Sequence, residues 1–84
     1  MVKLIKSDNL KIKILRQYKK KNISYTASLL SGVLGYKFET IKRALEFFYK
    51  IGVVDKEIKE HGKKNFTYYN LTEIGKYLIR SEKI

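Results

Sequence analysis

The apolar period of this sequence changes at Gly52, and that change limits the fold more than any single motif. Before it, apolar residues recur every three or four positions. After it, "VVDKEIKE" and "NFTYYNL" are rich in branched and aromatic residues, with "HGKK" between them. The first spacing suits helices with one buried face and the second suits strands joined by a turn. Helical spacing returns at Leu71, Ile74 and Leu78, with Tyr77 beside them. The order is therefore helix, helix, helix, hairpin, helix: an α+β chain, mostly α.

Local chemistry sharpens each element. Asp8 to Lys21 places Leu10, Ile14, Leu15 and Tyr18 on one face. Ser7 is the expected N-cap, Asp8 falls in the first turn, and Lys19, Lys20 and Lys21 meet the negative end of the helix dipole. Ser24 or Thr26 caps a second helix, "ASLLSGVLG", with Ala27, Leu30, Val33 and Leu34 inward and with Ser31 and Gly32 small enough for a close helix crossing. Gly35 stands where a left-handed C-cap is expected. On the third helix Phe38, Ile41, Leu45 and Phe48 form the inner stripe, and Phe47, off that stripe, is read as packing under the hairpin. Gly62 supplies the positive φ of a tight turn. Thr72 caps the last helix.

Eighty-four residues make a single domain, 1–84. With no cysteine and a lone His61, the chain offers no disulfide, no thiolate metal site and no thiol nucleophile. No paired carboxylates suggest a pocket, so we expect no enzyme, no cofactor, no metal and no small-molecule ligand. No apolar run approaches the roughly 18 residues of a membrane span, and the charges near the N-terminus are too close together for a secretory leader. The expected setting is intracellular, away from membranes. Net charge is +11, and residues 1–43 carry 11 basic and 2 acidic side chains against 8 and 6 in residues 44–84. Such an excess makes a polyanion the default partner.

The third helix concentrates the polar signal. With Ile41 inward, a turn of about 100° per residue points Glu39, Arg43 and Lys50 outward, flanked by Tyr36, Thr40 and Lys42. The stretches "LLSGVLGYKFETIKRALEFFYKIGVV" and "EHGKKNFTYYNLTEIGKYL" resemble the winged helix-turn-helix DNA-binding domain over nearly the whole chain. Leu34-Gly35, the helix from about Lys37, Leu45 through Gly52 to Val54, and the run Tyr69 to Gly75 carry the resemblance. In size and lysine richness the chain is similar to small winged-helix regulators of archaea and their viruses.

That resemblance implies a sequence-specific regulator of transcription bound to double-stranded DNA. Its third helix would enter the major groove with Tyr36, Lys37, Glu39, Thr40, Lys42 and Arg43. Arg43 would reach a guanine edge and Lys37 a phosphate, and Glu39 would accept from a cytosine amino group or simply repel wrong registers. His61, Lys63 and Lys64 would form the tip of a wing on the backbone or minor groove. Lys19, Lys20 and Lys21 would give a further phosphate patch. Val2, Leu4, Ile5, Ile12 and Ile79 suggest a seam for a homodimer, which would set two recognition helices about 34 Å apart. Each lysine also has an ordinary reading as a solvated face, and Tyr68 and Tyr69 read as strand packing. A DNA-coating protein needs the charge but not the Thr40 and Arg43 placement. A winged-helix module for protein contacts gains little from the charge. An RNA-binding role lacks an apparent aromatic platform in the sequence.

Overall fold

The computed structural model describes residues 9–84. Four helices and one antiparallel hairpin follow in order: α1 (Asn9–Lys20), α2 (Ala27–Leu34), α3 (Phe38–Lys50), β1 (Val54–His61), β2 (Lys64–Leu71) and α4 (Glu73–Ser81). The element order is the one the period predicts. Ser7, Asp8 and the apolar residues Val2, Leu4 and Ile5 lie outside the described residues. No helix among those described is long and apolar enough to cross a membrane.

The core gathers one stripe from each element. Ile14, Leu15 and Tyr18 come from α1, Ala27 and Leu30 from α2, Ile41, Ala44, Leu45 and Phe48 from α3, and Ile79 from α4. Val53, Val54, Tyr69 and Tyr25 complete it from the hairpin base and the α1–α2 connection. Burying one such large side chain contributes about 1.5–3 kcal/mol, so this compact set carries most of the favourable free energy of a chain this size.

Four expected inward residues are not inward. Val33 is about half exposed, because α2 has only eight residues and its buried positions 27 and 30 define a line that Val33 misses. Phe38 is 46% exposed: it opens α3, and its turn runs past the end of the core into a cleft beside β2. On α4, Ile74 and Tyr77 are exposed, whereas Gly75 and Ile79, four apart, face inward. The face is chosen by Gly75, which approaches the Val53 carbonyl too closely for any larger residue. Gly32, read as a crossing point, meets open space instead. Ile79 leaves the expected dimer seam for the core, and Ile12 packs partly against that core.

Tyrosines hold the layers together. Tyr25 and Tyr69 form an isolated antiparallel bridge, Tyr25 N–H donating to Tyr69 O at 3.1 Å and Tyr69 N–H to Tyr25 O at 2.7 Å. The Tyr18 hydroxyl also donates to Tyr69 O at 2.7 Å, and its ring meets Tyr25 edge-on at 5.0 Å. Gln17 Nε2 donates to the Tyr25 hydroxyl, which donates to Lys21 O at 2.8 Å. Thus α1, the α1–α2 connection and β2 share one satisfied polar network inside an apolar core, where an unpaired hydroxyl would cost about 1–3 kcal/mol. Ser24 and Asn70 add a side-chain hydrogen bond at its edge.

This network has a pH consequence. Burial first, then the neighbouring phenols, raises the Tyr18 pKa; burial and the Glu46 carboxylate raise that of Tyr69. Both folded values lie above the ordinary value near 10, so the neutral phenols stabilise the fold fully below that pH. As pH rises beyond it, the unfolded chain releases protons that the folded chain retains, and stability falls. In an alkaline titration the phenolate absorbance of Tyr18 and Tyr69 should therefore appear together with loss of the far-UV helical signal. Ionisation of all seven tyrosines with that signal intact would contradict the network.

Candidate nucleic-acid interface

A short turn fixes α3 against α2. Gly35 adopts φ 75°, and its N–H donates to Ser31 O at 2.9 Å; the Ser31 hydroxyl donates to Tyr36 O. Lys37 is the N-cap of α3 in extended conformation and makes no side-chain cap bond, leaving its ammonium outside. Glu39 lies in the first turn, where a carboxylate suits the positive helix end. Lys37, Glu39, Thr40, Lys42 and Arg43 are all exposed, opposite the buried stripe of Ile41, Ala44, Leu45 and Phe48. Tyr36 is half-buried, and its hydroxyl accepts from Lys13 Nζ at 3.1 Å. The first turns of α3 thus present an open polar edge that α1 supports from one side.

Two concavities flank that edge. One, of about 450 Å³, is lined along α3 by Glu39, Lys42, Arg43, Glu46, Phe47 and Lys50. The other, of about 220 Å³, lies between the starts of α2 and α3 and strand β2, with Thr26, Ser28, Phe38, Lys42, Asn65 and Thr67 among its walls. Lys42 borders both. Phe47 is reached from α1, with Lys11 Nζ 4.5 Å from its ring centroid. Its ring also meets that of Phe48 at 5.9 Å and packs against the core, which includes Val53 and Val54 at the hairpin base.

Glu46 was not singled out in the sequence, yet it ties the hairpin base to α3. Its carboxylate accepts from Lys56 Nζ of β1 at 2.8 Å and from the Tyr69 hydroxyl at 2.8 Å. Lys56 also sits 4.5 Å above the Tyr49 ring. The Lys56 hydrogen bond, helped by Tyr69 and by the charge of Lys42, holds the Glu46 carboxyl below its usual pKa. It therefore stays ionised and partnered. Strand periodicity could have paired Lys56 with Tyr69, its neighbour in the β1–β2 register; only the crossing of helix and hairpin brings Glu46 to them.

The hairpin tip is closed by His61 and Lys64, directly paired, with Gly62 and Lys63 between. Gly62 has φ 64° and Lys63 does not have positive φ, the pattern of a type II′ turn. His61, Lys63 and Lys64 are exposed. Eight-residue strands reach about 26 Å, so the turn stands well beyond the core residues at the other end. The three lysines at the end of α1 are all exposed, and Lys19 Nζ donates to Ile84 O at 2.6 Å. Lys19 is directed at the region following α4 and contributes no contact to the α3 edge.

No protein-family model matches the chain, and comparison with curated proteins and with solved structures returns no match.

Proposed function

We propose that this chain is a winged helix-turn-helix regulator that binds double-stranded DNA in a sequence-specific manner. The observation that carries this reading is the exposed α3 edge from Lys37 to Arg43, held rigidly by a buried stripe on its other side. In this reading the start of α3 enters the major groove and the hairpin is the wing. Arg43 is the residue able to make a bidentate bond to guanine, and Lys42 and Thr40 contact bases or phosphates beside it. Lys37, Lys63 and Lys64 grip phosphates. The net charge of +11 supplies the long-range attraction. Function would be intracellular, at chromosomal or viral DNA.

The active form is proposed to be a homodimer joined through α4, which leaves Ile74 and Tyr77, three positions apart, 61% and 65% exposed. A twofold pair implies a palindromic site.

Selection from a pool of random duplexes tests the whole reading. A palindromic motif is expected, and Arg43→Ala should flatten its strongest position, where a bidentate contact carries about 1–3 kcal/mol of discrimination. Light scattering should find two chains per particle, reduced to one by Tyr77→Glu. If Arg43→Ala leaves both affinity and preference unchanged, α3 is not the reading element. Binding without any enriched motif would favour the coating role that the charge alone supports.

A further inference from the structure

The outer face of the hairpin carries a ring cluster that the core does not use. Residues paired directly across two strands share a face, so Glu57 and Tyr68, Lys59 and Phe66, and His61 and Lys64 lie on the same side. On that side His61 meets Phe66 at 5.4 Å and Tyr68 at 6.4 Å between ring centroids. Phe66 is 39% exposed and borders the cleft beside α2 and α3, and none of the three rings belongs to the buried cluster. The opposite face of the same ribbon behaves differently: there Tyr69 and Val54 are buried and close the core.

Cations surround the rings. Lys59 Nζ lies 4.9 Å from the Tyr68 centroid, and Lys64 faces His61 across the turn. The Glu57 carboxylate on this face is engaged by Lys59 at 3.9 Å and by Asn70 Nδ2 at 3.4 Å. The face therefore offers aromatic surface and positive charge together. Single-stranded nucleic acid complements both: unpaired bases present π-faces, and its phosphates are negative. Duplex DNA does not use this surface well, because its bases are already stacked on each other. An acidic protein segment would satisfy the lysines and leave the rings without planar partners.

We infer that the His61–Phe66–Tyr68 face is a stacking platform for unpaired bases of a single strand. This goes beyond the duplex contact: Phe66 and Tyr68 have no part in it, whereas His61 and Lys64 at the turn border both surfaces. The sequence concealed it, because Phe66, Tyr68 and His61 look like strand and turn residues until the register places them together.

The experiment compares an unstructured single strand of about 16 nucleotides, carrying one 2-aminopurine, with a blunt duplex at one salt concentration. The single strand should bind the unaltered protein, with 2-aminopurine fluorescence quenched as the base stacks. Phe66→Val keeps a strand-forming residue and removes the ring; it should weaken single-strand binding about tenfold and lessen the quenching. Phe66→Trp should restore both, and duplex affinity should change by less than about threefold. Arg43→Ala should do the reverse, weakening selected duplexes and sparing the single strand, so failure of one reading is distinguishable from failure of the other. The proposal is overturned if the parent protein leaves 2-aminopurine unquenched at saturation or does not bind the strand. It is equally overturned if Phe66→Val binds the strand as well as the parent does, or weakens strand and duplex alike. Far-UV spectra identify a misfolded variant; the quenching of the parent protein then decides.

Discussion

Replacing Gly75 by alanine is expected to destabilise the fold by about 1–3 kcal/mol or more, lowering the melting temperature by roughly 4–8 °C for each kcal/mol. In most helices the same change stabilises by about 0.5–1 kcal/mol, because glycine loses more backbone freedom on folding. Here the sign reverses for a local reason. A Cβ on Gly75 would stand 2.4 Å from Val53 O and 2.5 Å from Leu71 Cδ1. The first of these is backbone and is held in place: Val53 N–H donates to Phe48 O at 2.8 Å, and Val53 O accepts from Thr72 N–H at 3.0 Å. Thr72 is itself fixed, accepting from Gly75 N–H at 3.0 Å while its hydroxyl donates to Gly52 O. Relief therefore requires α4 to lift from Val53 and Leu71 at the hairpin base, uncovering Ile79. Gly32→Ala is the control. Gly32 lies in α2 with nothing within 4 Å of its notional Cβ, so that change should leave stability equal or raise it by up to about 1 kcal/mol. Thermal and urea unfolding of the two variants check the pair; a Gly75→Ala protein as stable as its parent would sink the argument.

The same glycine shows how far the sequence can be read. The repeat of apolar positions announced every described element, and Thr26, Gly35 and Thr72 marked their ends by chemistry that is local to the chain. Which side of a helix faces inward is less local. For α3 the long stripe decided it, and Ile41, Leu45 and Phe48 are buried as expected. In α4 two faces compete, one with Ile74 and Tyr77 and one with Gly75 and Ile79. Hydrophobicity favours the first, but close approach to Val53 selects the second. Phe38 fails for a related reason: periodicity has no knowledge of where a core ends. The candidate interface divides in the same way. The exposed run Lys37, Thr40, Lys42 and Arg43 was legible because it is the complement of the α3 stripe. The Glu46–Lys56 ion pair at 2.7 Å and the approach of Lys13 to Tyr36 were not, since each joins elements whose crossing no periodicity encodes. Lys19, grouped by sequence with Lys20 and Lys21, turns instead to Ile84.

The largest effect expected on binding is that of salt. Lys37, Lys42, Lys63 and Lys64 are exposed lysines on the α3 edge and hairpin turn, and Arg43 is assigned to a base. If each lysine neutralises one phosphate, log affinity should fall against log salt with a slope of about −3.6. Between about 50 and 200 mM salt the protein then loses roughly a hundredfold in duplex affinity. The double variant Lys63→Ala, Lys64→Ala removes two of these contacts without touching the core, because both residues lie exposed at the closed end of the hairpin. Its slope should fall to about −1.8, with only about a tenfold loss over the same range. At low salt it should bind every duplex more weakly by a similar factor, since phosphate contacts carry no sequence preference. A base contact behaves otherwise: Arg43→Ala should alter the ranking of duplexes while moving the slope little. Titration of both variants against a selected and an unselected duplex separates the two roles. An unaltered slope in the double variant would falsify the hairpin contact, and charge alone could not restore it. The remaining positive charge of the chain would still attract DNA, but the hairpin lysines would have no phosphate to grip.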